Sequence, residues 1–269
     1  MVRKLCNSQT NQDYALIRMD PAENVDRAFV VDLLKDLVAT NSVNPAVGRG
    51  PGESALSNLI YDRLASISGL DVRRQPVADG RSNVIGILTG SGGGRSLMLN
   101  GHMDTVGVEG MTIQPFRPFI ENGKLHGRGA CDMKGALAAM IGAVKSLIDS
   151  GSSLPGDLIF SAVVDEEYKS IGTKKLLEEY RADAAIVGEP TEMRVATAHK
   201  GFVWIEVETK GRAAHGSVPE KGVDAILHAA KVASRIEELQ ERLESRVHPL
   251  LGSPKIHTST IEGGTDWSI

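Results

Sequence analysis

The sequence has little cysteine and no long apolar run. Its 269 residues include two cysteines, Cys6 and Cys131, which lie far apart and form no Cys-x-x-Cys pair. This spacing supports neither a disulfide framework nor a thiolate zinc site, and it favours a reducing compartment. No apolar run approaches the roughly 18 residues of a membrane span, and residues 1–20 are polar where a signal peptide has its apolar segment. We therefore expect a soluble cytoplasmic protein with no membrane partner and a loose tail over residues 1–20.

The sequence also lacks an excess of charge of either sign. With 30 basic and 34 acidic residues, the formal net charge is −4 at pH 7, and no block rich in Lys and Arg stands out. Surfaces that bind nucleic acid or acidic membranes depend on such positive charge. The balance excludes nucleic acid as a partner and favours a small-molecule or peptide substrate. At this length the chain can bury a core as one large domain, or as one domain and part of another.

Helical and strand patterns alternate along the first two thirds of the chain. Apolar spacing predicts one helix that opens at residues 20–23 and carries Phe29 to Leu37, and a second over 53–67. Strands are predicted over 83–88, 96–100, 158–164 and 184–187, with helices over 133–148 and 173–180. This order is typical of an α/β fold with a mixed, largely parallel sheet flanked by helices.

The pattern changes after residue 200. A strand over 202–209, a long helix over 222–245 and a strand over 255–261 predict the start of an incomplete α+β domain. We therefore expect a loose tail over residues 1–20, a first domain over 21–200 and a partial second domain over 201–269.

Imidazole and carboxylate side chains follow three of the predicted strands or precede a predicted helix. They are His102, Asp104, Asp132, Asp165, Glu166, Glu167 and Glu189. Ligands of parallel sheets gather beyond the carboxyl ends of the strands. We expect these side chains to share one rim of the sheet, with Asp165 in a supporting or structural position.

Each of these residues also has an interpretation without catalysis. His102 and Asp104 are common turn residues, Asp132 is suited to cap the following helix, Glu166 and Glu167 could form a solvated acidic turn, and Glu189 could be an ordinary acid of a loop. As a set, one imidazole and several carboxylates without thiolate suit Zn²⁺, and Co²⁺ or Mn²⁺ could replace it. Asp132 could bridge two cations, while one of the adjacent glutamates binds metal and the other acts as general base.

Four motifs, taken together, resemble a known family. The sequences GHMDTV at 101–106, GRGACDMKG at 127–135, DEE at 165–167 and GEPT at 188–191 match, in order and spacing, the acetylornithine deacetylase and succinyl-diaminopimelate desuccinylase family of cocatalytic zinc deacylases and peptidases. The resemblance runs from about Pro21 to the end of the chain. It implies a homodimeric enzyme that uses metal-activated water to remove the acyl group of an N-acyl amino acid. A dipeptidase or carboxypeptidase of the same fold is the alternative, and Glu189 followed by Pro-Thr leans towards the deacylases.

The resemblance also implies a role for each matching residue. His102 and Glu189 hold one zinc, Asp132 bridges, Glu167 holds the second zinc, Glu166 is the general base, Asp104 supports His102, and His215 in the sequence AAHGS at 213–217 steadies the oxyanion across a dimer. Asp104 would accept a hydrogen bond from the second ring nitrogen of His102.

The chain departs from the family pattern at its end. Family members continue well past the position of Ile269 and supply a final histidine to the second zinc. The resemblance therefore implies that this 269-residue chain holds about one zinc where the intact family holds two. It is then catalytically impaired, or a metal-binding fragment.

Overall fold

The computed structural model describes residues 25–266. The chain divides into two compact units, the first ending at Glu192 and the second beginning at Met193. The predicted tail and the opening of the first predicted helix lie outside the described residues. The domain boundaries expected from the sequence, with a change at residue 200, stay a prediction.

The first unit alternates helices and strands. Its helices are α1 (Arg27–Ala39), α2 (Pro45–Gly48), α3 (Ser54–Ala65), α4 (Gly135–Asp149) and α5 (Ile171–Glu179). Its strands are β1 (Asp71–Ala78), β2 (Arg81–Leu88), β3 (Leu97–His102), β4 (Phe119–Glu121), β5 (Lys124–His126), β6 (Leu158–Val163) and β7 (Ala184–Val187).

Five of these strands form one mixed sheet in the order β1-β2-β6-β3-β7. Strand β2 pairs antiparallel with β1 and with β6, whereas β3 pairs parallel with both β6 and β7. The expected α/β fold with a mixed sheet between helices is confirmed, and its parallel part is the half that contains β6, β3 and β7. Because these three strands run in the same direction, the residues that follow them emerge at one edge of the sheet.

Two strand regions of the first unit were not predicted. Strand β1 is polar and mostly exposed, with Gln75 as its one buried position, so it lacks the apolar pattern that marks a strand within a sequence. Strands β4 and β5 form a hairpin whose turn residues, Asn122 and Gly123, have φ values of 51° and 72°. An Asn-Gly pair is a strong signal for such a two-residue turn.

Helices cover both faces of the sheet. On one face, α1, α3 and α4 pack through fully buried side chains that include Leu37, Ile60, Leu137 and Phe160. On the other face, α5 contributes Leu176 to a smaller cluster. All six residues of β6 are buried, because this strand lies at the centre of the sheet with helices on either side.

The second unit, as far as residue 266, has one long helix as its main regular element. This helix, α6 (Ala225–Glu244), begins where the Asp224 side chain accepts a hydrogen bond from the backbone N–H of Leu227. The strands predicted over 202–209 and 255–261 are not found. A strand requires a hydrogen-bonded neighbour, and the described part of this unit contains two isolated bridges outside both segments. None of the described helices has both the length and the apolar character needed to cross a bilayer.

Candidate metal centre

His102 is the last residue of β3 and is buried at the edge where the parallel strands end. Its Nδ1 atom lies 2.9 Å from the backbone oxygen of Asp104 and 3.6 Å from the carboxylate Oδ1 of the same residue. A proton on Nδ1 can be donated to this backbone oxygen, and that tautomer leaves the Nε2 lone pair free for a metal. The closer partner of Nδ1 is thus the backbone of Asp104, whereas the sequence suggested its carboxylate.

Two carboxylates approach Nε2 of His102. Asp132 Oδ1 lies 3.0 Å from Nε2 and Glu189 Oε1 lies 3.7 Å from it. One ligand atom from each of these three residues lies within 4.8 Å of the others. Ligands about 2 Å from a shared ion lie about 3–4 Å from each other, so small side-chain movements would bring this set onto one ion. One imidazole nitrogen and two carboxylate oxygens are a donor set that suits zinc and similar divalent metals.

A glycine-containing turn places Asp132 beside His102. Gly129 has a φ of 79°, and its carbonyl oxygen accepts a hydrogen bond of 2.9 Å from the N–H of Lys134. The peptide bond between Asp132 and Met133 is cis. Helix α4 begins after this turn, so the Asp132 carboxylate lies before its first turn and contacts His102. The alternative role of Asp132 as a helix cap is therefore not observed.

The Asp104 carboxylate joins His102 to the two adjacent glutamates. Its Oδ1 accepts the backbone N–H of Glu166 and its Oδ2 accepts that of Glu167, each at 3.0 Å. Glu166 Oε2 lies 3.9 Å from Nε2 of His102. Glu167 is not one of the three residues whose ligand atoms cluster. Of the four expected metal ligands, the structure thus brings His102, Asp132 and Glu189 together in this cluster.

Burial and mutual repulsion perturb the acids of the site. Burial, together with the charges of Asp132 and Asp104, raises the pKa of Glu167 to about 7, although His102 opposes the change. Burial also raises the pKa values of Glu166 and Glu189. A divalent cation would offset this crowding of negative charge, because it favours the ionised form of each carboxylate.

The charged form of the His102 imidazole is favoured by the same carboxylates. Burial by itself would lower the pKa of His102, but the carboxylates of Asp104 and Asp132, 3.6 Å and 3.0 Å from its ring nitrogens, raise it to about 11. The hydrogen bond with His102 lowers the pKa of Asp132. Burial would raise the pKa of Asp104, yet the neighbouring His102 imidazole and the hydrogen bond from Asn44 lower it. The two neighbouring carboxylates thus favour the charged form of the imidazole.

His215 lies in the second unit, unlike the other candidate site residues. It is exposed, and its Nδ1 atom lies 2.8 Å from the Ser217 hydroxyl and accepts the Ser217 backbone N–H at 3.2 Å. These contacts are those of a polar turn. Its role at an oxyanion stays a prediction.

A buried polar network lies behind the centre, and its members Asn44, Arg81 and Glu53 were missed in the sequence. Asn44, whose side chain is 0% exposed, donates from Nδ2 to Asp104 Oδ2 at 2.7 Å and to Asp165 Oδ1 at 3.1 Å. Arg81 donates twice to Glu53, at 2.7 and 2.6 Å, and once to Asp165 Oδ1 at 3.0 Å. The Asn-Pro pair at 44–45 was a signal for a turn, but no local pattern connects residues so far apart in the chain.

The sequence of this chain matches that of a known protein family. The model of Peptidase family M20/M25/M40 matches residues 98–269, more than half of the chain. The chain belongs to this family. The resemblance to acetylornithine deacetylases is confirmed as well, and the metal dependence of M20 hydrolases agrees with the cluster of His102, Asp132 and Glu189.

Two M20 relatives show the extent of the similarity. A peptidase M20 domain-containing protein from Schizosaccharomyces pombe is 35% identical over 241 residues, which cover 87% of this chain and 56% of the relative. Acetylornithine deacetylase from Proteus mirabilis is 34% identical over 251 residues, which cover 90% of this chain and 64% of the relative. The chain thus spans between about half and two thirds of the length of these relatives.

Solved structures of M20 proteins share the fold. A tripeptidase from Staphylococcus aureus has a TM-score of 0.57 and 23% identity, and the match covers 79% of this chain and 57% of that one. Aminopeptidase PepT from Bacillus cereus has a TM-score of 0.52 and 23% identity, with 77% and 56% covered. At this identity the likeness supports the M20 fold and leaves the substrate open.

Proposed function

We propose that this M20 chain carries the metal centre of an amidohydrolase that removes the acyl group from an N-acyl amino acid. The observation that carries the proposal is the convergence of His102, Asp132 and Glu189, whose ligand atoms lie within 4.8 Å of one another. Relatives named acetylornithine deacetylase, at 30–34% identity, support the choice of an acylated amino acid as substrate.

In this proposal His102, Asp132 and Glu189 hold a divalent metal, with zinc as the expected ion and Co²⁺ or Mn²⁺ as possible replacements. A metal bound there would polarise the amide carbonyl and lower the pKa of a water. Glu167 is proposed as a ligand of a second ion that Asp132 bridges. Support for this part comes from its position next to Glu166 and from the family resemblance.

Glu166 is the proposed general base. Its carboxylate lies 3.9 Å from Nε2 of His102, beside the metal ligands but outside the three-residue cluster. Burial raises its pKa, which moves it towards the neutral range where a base both accepts and returns a proton efficiently. Glu166 takes a proton from the attacking water and delivers it to the amine nitrogen as the amide C–N bond breaks.

The proposal extends to a homodimer in which His215 stabilises the developing oxyanion. Its support is the resemblance of the sequence AAHGS at 213–217. A His215→Ala variant should keep its metal content and lose kcat if this role holds.

Substrate class is tested by chromatographic assay of the zinc-loaded protein against N-acetylornithine, N-succinyl-diaminopimelate and a panel of dipeptides. Release of free amino acid from an acylated substrate is expected. Turnover confined to dipeptides would favour the alternative, a dipeptidase or carboxypeptidase. An absence of turnover on every acylated amino acid would overturn the deacylase proposal.

The two adjacent glutamates give the first variant test. Glu166→Ala should leave zinc content unchanged and lower kcat by about 10²–10⁴-fold, because a general base contributes on that order. Glu167→Ala is its matched partner, with the same charge removed one residue away, and should weaken binding of the second ion while the ion held by His102, Asp132 and Glu189 is kept. Equal loss of metal in both variants would make Glu166 a ligand and remove it as the base.

A further inference from the structure

We propose that Asn44 is a positioning residue of the metal centre, which acts on His102 and on the two adjacent glutamates through the Asp104 carboxylate. The inference rests on the proposed metal-binding role of the His102 cluster. It concerns side chains behind that cluster, of which Asn44, Arg81 and Glu53 belong to none of the four sequence motifs.

Every polar atom of the Asn44 side chain is engaged. Its Nδ2 donates to Asp104 Oδ2 at 2.7 Å and to Asp165 Oδ1 at 3.1 Å, and its Oδ1 accepts the backbone N–H of Ala46 at 2.9 Å. The hydrogen bond from Ala46 caps α2. The backbone N–H of Asn44 also donates to the carbonyl oxygen of Thr105 at 2.9 Å. The amide is therefore held by backbone on one side and directed at two carboxylates on the other.

Asp104 connects Asn44 to the residues of the metal centre. Its carboxylate accepts three N–H groups, one from Asn44 and one each from the backbones of Glu166 and Glu167. Its backbone oxygen lies 2.9 Å from Nδ1 of His102. A displacement of this one carboxylate would move the segment that carries both glutamates, and the restraint on the imidazole would loosen with it.

Arg81 and Glu53 restrain the other carboxylate that Asn44 contacts. Arg81 binds Glu53 through two nitrogens and also donates to Asp165 Oδ1 at 3.0 Å. Glu53 Oε1 accepts the backbone N–H of Asp165 at 3.0 Å. Asp165 has a φ of 65°, a backbone conformation that residues other than glycine adopt only at a cost in free energy. These bonds hold the turn that leads directly into Glu166.

The composition of this network indicates positioning more than stabilisation. Three carboxylates that are at most 2% exposed, those of Glu53, Asp104 and Asp165, are balanced by the Arg81 guanidinium, by the His102 ring beside Asp104 and by amide N–H groups. Removing such groups from water costs about as much as their pairing returns, so a buried network of this kind adds little net stability. It does restrict the side chains to one arrangement.

The chain contains a matched control for Asn44. Asn83 is also 0% exposed, donates from Nδ2 to Gln75 and to the backbone oxygen of Gly172, and accepts the Val164 N–H. Both asparagines thus lose three hydrogen bonds on substitution by alanine. Asn83 has no hydrogen bond to Asp104 or to the metal cluster.

The test measures zinc affinity by titration calorimetry and Tm in chelator for Asn44→Ala and Asn83→Ala. Both variants should lower Tm by a similar amount. Asn44→Ala should weaken the Kd for zinc by about tenfold or more, the usual effect of removing a partner behind the ligands, whereas Asn83→Ala should stay within about twofold. Asn44→Ser keeps a side chain that can cap α2 and serves if the alanine variant does not fold. Equal zinc affinities in the two asparagine variants would overturn the inference.

A double-mutant cycle tests the route through Asp104. If Asn44 acts on the centre through that carboxylate, Asn44→Ala should cost no further zinc affinity in an Asp104→Ala background. The same loss in both backgrounds would refute the route. If the unaltered chain binds no zinc, the proposed function fails and the inference fails with it. If the chain binds zinc and Asn44→Ala binds it equally well, the inference alone fails.

Discussion

Replacing the buried Lys134 with methionine should stabilise the protein at neutral pH. Lys134 is 0% exposed, and its Nζ donates to the backbone oxygen of Thr40 at 2.8 Å. Among the described residues, no carboxylate lies within 4 Å of this ammonium group. Burial lowers the pKa of Lys134 from 10.5 to about 7. The methionine side chain has a similar length and shape but carries no charge and no titratable group.

The magnitude follows from the two pKa values. Between pH 7 and 10.5 the unfolded chain binds the lysine proton more strongly than the folded chain does, so stability rises with pH across this window. At about 1.36 kcal/mol per pKa unit, burying Lys134 costs about 4 kcal/mol at pH 7 and about 2 kcal/mol at pH 9. Lys134→Met removes this cost but leaves the Thr40 carbonyl without its donor, a loss of about 1–3 kcal/mol. The variant should gain about 1–3 kcal/mol at pH 7.

Urea unfolding in chelator at pH 7 and pH 9 measures the effect. The advantage of Lys134→Met should shrink by about 2 kcal/mol between the two pH values. The exposed Lys174 of α5 provides the control, because Lys174→Met should change stability little at either pH. A difference between Lys134→Met and the unaltered chain that stays constant from pH 7 to 9 would refute the reasoning.

Three further predictions concern the centre and the sheet behind it. Zinc at a hundred times its Kd should stabilise the chain by about 2.7 kcal/mol, and Asp132→Asn should abolish the shift in Tm; a shift that persists would contradict the cluster. The pKa of His102, raised from 6.5 to about 11, gives a stabilisation that is complete below pH 6.5 and lost as the pH rises through 11. The stability difference from His102→Gln in chelator should therefore shrink between pH 7 and 10, and a constant difference would count against the ion pair. Gly172→Ala should cost about 1–3 kcal/mol, because a Cβ there would lie 2.3 Å from the Val164 carbonyl oxygen; an unchanged urea midpoint would show that the backbone yields.

The predictable parts of the fold were those with a strong local pattern. The apolar segments that became β3 and β6 were recognisable because buried strands carry consecutive apolar residues. Strand β1 was not, since its charged residues face solvent at the edge of the sheet and resemble a loop. The segment 202–209 shows the opposite error, since a strand was predicted there and is not found. It has strand composition and exposed side chains, but within residues 25–266 it forms no strand of either sheet.

The amino-acid sequence by itself determined the family, the alternation of helices and strands, and the candidate residues of the centre. These properties depend on motifs and on apolar spacing, which are local along the chain. The tertiary structure decided that Asp132 and Glu189 approach Nε2 of His102 while Glu167 lies outside that cluster. It also decided that Asn44 lies behind Asp104. Such contacts join distant segments through the packing of β3 against its parallel neighbours, and no local pattern specifies them.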